Sequence, residues 1–323
     1  MITRNQVLAV AKKSRFRPEP VEKVLRLIEI LQRLDRHEVT SSAWVLKGGT
    51  AINLFHLDAP RLSVDVDINF VGVEDVQALP TARESFERAL VSCCERAGCA
   101  VRRAPSEHAG GKFRLRFASV LDGTQNLEVD VSYVARVPLL AVARRAITSS
   151  ILGEDCEAPC LAFEELAAGK FLALLSRLAA RDFYDAASLL TIAPDLPNRP
   201  GFRLAFVCQA AASRVDFRDL KTVVRMPDVV EVRQKLIPLL RIDPDAPRLE
   251  PETLAGDLHR RLGPAIRCVL KWSKKERVFL DRFLDSAEIE PRLLTEDPDL
   301  GERIRKQPML LWKRQHLGER ARK

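Results

Sequence analysis

At 323 residues the chain is long enough for one large domain or two ordinary ones, each with its own hydrophobic core. With 46% hydrophobic and 30% charged residues it is neither a disordered chain nor a membrane-embedded one, and no apolar run nears the ~18 residues that suggest a span. The formal charge of +8 attracts phosphate backbones and admits a nucleic-acid partner without requiring one.

The N-terminal Met1-Ile2-Thr3-Arg4-Asn5-Gln6 lacks the apolar core of a signal peptide, so the chain is expected to remain in the cytoplasm. Pro18 and Pro20 suit a helix start, and Val21, Val24, Leu25, Leu27, Ile28 and Leu31 fall near helical spacing, predicting a helix over Val21–Leu34. Ala43–Leu46 is a short apolar strand candidate. Lys47-Gly48-Gly49-Thr50 and a helical Ala51–His56 follow it, giving the order strand, glycine turn, helix. Ser63–Phe70 alternates, with Val64, Val66, Ile68 and Phe70 on one face and Ser63, Asp65, Asp67 and Asn69 on the other, which is the period of a strand. Arg83–Ala97 reads as a helix. Lys112–Val120 and Asn126–Val134 read as strands joined by a turn at Asp122-Gly123-Thr124.

After about residue 160 strand-like alternation fades. Phe163–Leu175 and Ala179–Leu190 are helical, and proline-rich breaks fall at Pro194–Pro200 and Asp243–Pro251. The expected architecture is α/β (α+β), with a catalytic domain over 1–155 and a mainly helical domain over 156–323. The seven cysteines show no paired ligand spacing; Cys156 and Cys160 lack a second pair or a nearby histidine, so free thiols are expected rather than a zinc site.

The chemistry concentrates at Asp65-Val66-Asp67. On a strand, residues i and i+2 project from one face, so both carboxylates can reach one point, and their repulsion falls if they share a divalent cation. In Leu127-Glu128-Val129-Asp130, the acids Glu128 and Asp130 also share a strand face, and a neighbouring position would let Asp130 or Glu128 join the pair. Three carboxylates around divalent metal suit in-line nucleotidyl transfer. Asp-x-Asp alone is more commonly a solvated strand face. Gly48-Gly49 between a strand and a helix lets phosphate oxygens approach backbone N–H groups, although a bare Gly-Gly is also an ordinary tight turn. The order Lys47-Gly48-Gly49-Thr50 is not that of a P-loop.

Together, Leu46-Lys47-Gly48-Gly49-Thr50-Ala51 and Arg61-Leu62-Ser63-Val64-Asp65-Val66-Asp67-Ile68 resemble the DNA polymerase β-like nucleotidyltransferase superfamily. Within it they resemble the AbiEii/AbiGii toxin family of abortive-infection and type IV toxin–antitoxin systems, which includes the mycobacterial MenT toxins. Lys170-Phe171-Leu172-Ala173-Leu174-Leu175-Ser176-Arg177 and Arg181-Asp182-Phe183-Tyr184-Asp185 resemble that family's downstream Lys, Arg and Arg-Asp-x-x-Asp motif, so the likeness spans about residues 40–190. It implies a Mg²⁺- or Mn²⁺-dependent enzyme moving a nucleoside monophosphate from an NTP to an RNA acceptor, the tRNA 3′ end. It also implies a cognate antitoxin and no membrane partner. The implied catalytic residues are Asp65, Asp67, Lys170, Asp182 and Asp185. Asp65, Asp67 and Asp130 would bind metal, and Lys47, Gly48, Gly49, Thr50, Ser63 and Arg181 would hold the nucleotide.

The residues leave other readings open. Lys170, Arg177, Asp182 and Asp185 also suit an internal salt-bridge network between two helices. The acceptor could be a small molecule or a protein hydroxyl, or the fold could serve as a non-catalytic nucleotide- or RNA-binding module. His56 reads as a helix-end or packed side chain, and Trp272 and Trp312 as helix packing more readily than base stacking. The basic C-terminus, from Arg303 to Arg320, Arg322 and Lys323, is either a solvated tail or an RNA-contacting surface.

Overall fold

The alternating stretch around Asp65 lies at the centre of a seven-stranded sheet. The computed structural model describes residues 2–104, 110–148, 155–220, 225–242 and 249–321. The break at Asp243–Pro251 therefore falls largely outside the described residues, as do Arg322 and Lys323 of the basic tail.

The strands are β1 (Trp44–Lys47), β2 (Asp65–Phe70), β3 (Ala100–Arg103), β4 (Gly110–Ala118), β5 (Thr124–Ser132), β6 (Ala143–Ala146) and β7 (Glu157–Cys160). Their order is β3-β4-β5-β2-β1-β7-β6; β2 runs parallel to β5 and β1 parallel to β7, and the other neighbours are antiparallel. One face of the sheet is apolar. Val66, Ile68 and Phe70 of β2, Phe113, Leu115 and Phe117 of β4, and Leu127, Val129 and Val131 of β5 are buried on it. Helices α1 (Arg4–Ser14), α2 (Pro18–Arg36) and α3 (Leu79–Arg96) belong to this part of the chain, with α2 against β5, β7 and α3. The 3.6-residue period of α2 buries Val21, Val24, Leu25, Leu27, Ile28 and Leu31, each contributing roughly 1.5–3 kcal/mol. Phe70 meets Phe86 at 5.1 Å and Tyr133 at 5.5 Å between ring centroids.

The expected helix after the glycine turn forms as a single α-turn, Gly48–Thr50, running into a π-helix, Ala51–His56. Leu57 N–H donates to Ile52 O at 2.9 Å, the wider i→i−5 bond of that geometry.

The chain divides into two compact units. The first holds Met1–Arg136, Val142–Leu161 and Ile237–Arg248, and the whole sheet lies in it. Within it Leu62 N–H donates to Leu239 O at 2.9 Å, and Arg61 bridges to Leu240. The second holds Val137–Ala141, Ala162–Leu236 and Leu249–Lys323. It is helical: α4 (Phe163–Arg177), α5 (Ala180–Ile192), α6 (Pro200–Ala212), α7 (Pro251–Val269), α8 (Lys274–Ser286), α9 (Pro298–Arg305) and α10 (Pro308–Ala321), with α4 packed on α5 and α6. The architecture is thus mixed α/β with a mainly helical second part. Among the described residues, no helix is long and apolar enough to cross a membrane.

Candidate active site

The polar face of the sheet carries a charged row set by register. Lys47 pairs with Asp67 across β1–β2, Asp67 with Asp130 across β2–β5, and Asp130 with Lys112 across β5–β4. One step along, Asp65 pairs with Glu128, and Glu128 with Arg114. Because side chains alternate along a strand and neighbouring strands lie ~4.8 Å apart, these groups all stand on one face within reach of their neighbours. Asp65 and Asp67 are half-buried, held at the end of β2 by the sheet on either side.

Gly48 explains the glycine turn. Its φ is +70°, a region that L side chains enter at a cost, and a Cβ on it would stand 2.2 Å from Asp67 Oδ2. The missing side chain is the space that the Asp67 carboxylate occupies. Thr50 Oγ1 donates to Asp65 O at 2.5 Å, and buried Asn53 donates from Nδ2 to Gly49 O at 2.9 Å, so the turn is tied to β2 and to its own helix. Ser63 is buried just before β2.

Two lysines set the electrostatics. Burial pushes the Lys47 ammonium below its ordinary range, against the pull of the Asp67 and Asp130 carboxylates. Lys112 Nζ lies 2.9 Å from Glu128 Oε2 and 3.4 Å from Asp130 Oδ2, and the hydrogen bond to Glu128 chiefly holds its charge above the usual lysine range. The sequence drew no attention to Lys112. The hairpin register, once fixed, places it directly opposite Asp130.

Asp65 and Asp67 offer hard oxygens, two residues apart on one strand face, with room made by Gly48. That donor chemistry fits a magnesium ion whose remaining positions go to phosphates and water. Asp130 is adjacent but has Lys112 beside it. Among the described residues, no three or more His, Cys, Asp or Glu side chains converge as a metal-holding group.

The downstream motif forms a second, buried cluster. Leu178 caps α4 in the left-handed region (φ 55°, ψ 29°), and α5 begins at Ala180, so the chain reverses sharply. This corner brings Asp182 and Asp185 back onto Lys170: the ammonium lies 2.8 Å from Asp182 Oδ1 and 2.8 Å from Asp185 Oδ2. Arg177 donates to both Asp182 oxygens, from Nε at 2.6 Å and from Nη2 at 3.0 Å. The Lys170, Asp182 and Asp185 side chains are 8%, 1% and 0% exposed, whereas Arg177 is 64% exposed, so one charged edge of the network reaches solvent. Burial raises the Asp182 pKa, but the Arg177 hydrogen bond and the Lys170 charge outweigh it and hold the carboxyl below its ordinary range. Arg181 is half-buried and adds its charge near Glu231, whose Oε2 accepts from Ala180 N–H at 2.8 Å.

Of the other singled-out residues, Trp272 has a packing role. Trp272 stacks on Phe206 at 5.7 Å, donates to Phe217 O at 3.2 Å and lies under the Arg203 guanidinium. Trp312 is 41% exposed, with His316 at 4.1 Å between ring centroids. Burial and the Arg145 charge bring His56 down to about 4, leaving it neutral at ordinary pH.

Comparison with known proteins adds two findings. A family profile described as nucleotidyl transferase AbiEii toxin, type IV TA system, matches residues 29–282. Among solved structures, the chain is similar to MenT4, a nucleotidyltransferase toxin from Mycobacterium tuberculosis. The TM-score is 0.53 and the identity 18%, over 93% of this chain and 98% of that one, a likeness of fold. Comparison with curated proteins found no match.

Proposed function

The chain belongs to the AbiEii family of type IV toxin nucleotidyltransferases, and from that membership we propose that it moves a nucleoside monophosphate from an NTP to an RNA hydroxyl, that of the tRNA 3′ end. The observation that carries this reading is the register that sets Asp67 beside Asp130 and Asp65 beside Glu128, next to a glycine turn whose Gly48 makes room for the Asp67 carboxylate. In the proposed site Asp65 and Asp67, helped by Asp130, would hold magnesium. A bound magnesium ion would supply Lewis-acid activation of the acceptor hydroxyl and neutralise charge on the leaving pyrophosphate.

The chain's own groups do the rest. Gly48, Gly49 and Thr50 cradle the triphosphate through backbone N–H groups, with Ser63 and Arg181 in the nucleotide-binding set. Lys47 offsets the repulsion between Asp67 and Asp130 before substrate arrives. Lys170, an ammonium held in position by Asp182 and Asp185, contacts phosphate or helps deprotonate the acceptor by stabilising its oxyanion, the proton passing to water. The phosphoanhydride bond between the α- and β-phosphates breaks, the new phosphodiester forms at the acceptor oxygen, and pyrophosphate leaves. Nucleotides added at that end block aminoacylation and arrest growth, and a cognate antitoxin in the cytoplasm restrains the enzyme.

Incubation of the protein with total tRNA, Mg²⁺ and each α-³²P-labelled NTP, beside Asp65→Ala, tests the proposal. Labelled tRNA with wild type alone supports it and identifies the base. Label on a protein or a small molecule instead overturns the RNA acceptor, and NTP binding without any transfer points to the non-catalytic module.

A further inference from the structure

The same open sheet face continues beyond the carboxylates into a basic strip. On β4, Lys112, Arg114 and Arg116 follow at two-residue spacing, and the antiparallel partner of Arg114 on β3 is Arg102. Residues directly paired across strands share a face, so these four cations stand on the side that bears Asp65, Asp67, Glu128 and Asp130. Arg102, Arg114 and Arg116 are exposed, the Arg114 side chain to 65%. Charge therefore grades across one sheet face, from arginines at the β3–β4 edge to carboxylates at β5–β2.

The opposite face of the same strands is filled by Phe113, Leu115 and Phe117, so the period of β4 is fully used: apolar inward, cationic outward. Near the carboxylates the positive charge is already engaged, Lys112 with Glu128 and Asp130, and Arg114 at 3.5 Å from Glu128. Toward the edge, among the described residues, the paired positions bring no matching acids: Arg116 pairs with Asn126 and Ala100, and Arg102 with Arg114. Arginines that repel across adjacent strands persist at low cost where a polyanion neutralises them. Along β4, positions i and i+2 are roughly 7 Å apart, a reach over which successive guanidinium forks can each take a backbone phosphate.

We propose that Arg102, Arg114 and Arg116 form a track for the phosphodiester backbone of the acceptor strand, leading its 3′ hydroxyl across the sheet to Asp65 and Asp67. The inference rests on the nucleotidyltransferase reading above and goes beyond it by assigning the acceptor, rather than the NTP, to this face. A polyanion laid on the arginines meets carboxylates as it nears the metal-binding pair. The strand is therefore held upstream of its end, and the terminal hydroxyl is left to the catalytic groups. No base is read by such a track; it discriminates RNA length and charge.

The test compares wild type, the triple variant Arg102→Ala/Arg114→Ala/Arg116→Ala, and a charge-matched control, Arg260→Ala/Arg282→Ala/Arg305→Ala. Binding of a fluorescent single-stranded RNA and of an NTP is followed at several salt concentrations. The expected result is tenfold or greater loss of RNA affinity in the first variant only. Its log–log salt slope should fall by about 2, near 0.7 per lost phosphate contact, with NTP binding and melting temperature unchanged. Equal loss in both variants, or none in either, would overturn the track, as would a wild-type protein that binds no RNA. If wild type binds RNA through these arginines yet transfers no label to it, the track stands and the proposed reaction fails.

Discussion

Gly48 shows how one missing side chain organises the proposed centre. An alanine there would combine a left-handed backbone, costing roughly 1–2 kcal/mol, with a Cβ placed 2.2 Å from Asp67 Oδ2. Gly48→Ala is expected to displace that carboxylate and lower transfer at least a hundredfold, while thermal unfolding shifts by only a few degrees; kinetics beside a melting curve check both. Lys170 is the reverse case, a charge whose removal damages the fold. Lys170→Ala removes the cation shared by buried Asp182 and Asp185, leaving Arg177 on Asp182, and loss of one partner from a buried pair costs roughly 3–5 kcal/mol. Urea denaturation should show that loss at neutral pH. Since the folded Asp182 pKa lies below the ordinary carboxylate value near 3.9, its stabilisation is fully present above that value and lost as pH falls through the folded one.

At the level of elements, the strands near the site were legible because period two is hard to imitate. Asp65, Asp67, Glu128 and Asp130 fall on polar strand faces in the sequence, and the structure places β2 beside β5 in the register that joins them. That adjacency could not be read from the sequence, because a parallel pair is joined by a long connection that leaves no local signal. The β4–β5 hairpin shows a similar limit. Asp122-Gly123-Thr124 marks the turn, but the loop runs from Ser119 to Gly123, closed by Ser119 N–H donating to Gly123 O at 3.0 Å, and this length is what sets Lys112 opposite Asp130. Buried Glu22 on α2 fastens that loop, accepting from Ser119 Oγ at 2.6 Å and Val120 N–H at 2.8 Å. The π-helix was invisible for a different reason: its side-chain pattern over Ala51–His56 is that of any short buried helix. His56 at its end supplies a pH test. Its folded value of about 4 lies below 6.5, so the unfolded chain binds more protons between them, and stability falls as pH drops through that window. His56→Gln should flatten this part of the stability–pH curve, measured by urea midpoints from pH 7 to pH 4.

Across the whole molecule, composition admits a nucleic-acid partner and says little more. A net charge of +8 is compatible with RNA, but the chain's informative cations are those at fixed positions: Lys47 and Lys112 among carboxylates, and Arg102, Arg114 and Arg116 on the outer sheet face. Many other arginines are committed to internal ion pairs, such as Arg203 with Glu276 and Arg218 with Asp216, Asp281 and Asp285. Binding of RNA should therefore weaken with salt less steeply than the count of 52 Lys and Arg suggests, with a slope set by a handful of phosphate contacts. The family match covers residues 29–282 and so spans the sheet, Lys170 and the Arg-Asp-x-x-Asp motif together.

The most direct test of the central claim is the rate of nucleotide transfer to tRNA as Mg²⁺ is titrated, in wild type and in Asp65→Asn and Asp67→Asn. The account predicts transfer that rises with Mg²⁺, disappears with chelator, and falls at least a thousandfold in either variant, with folding intact by circular dichroism. Metal-independent transfer, or variants that keep wild-type rates, would contradict it.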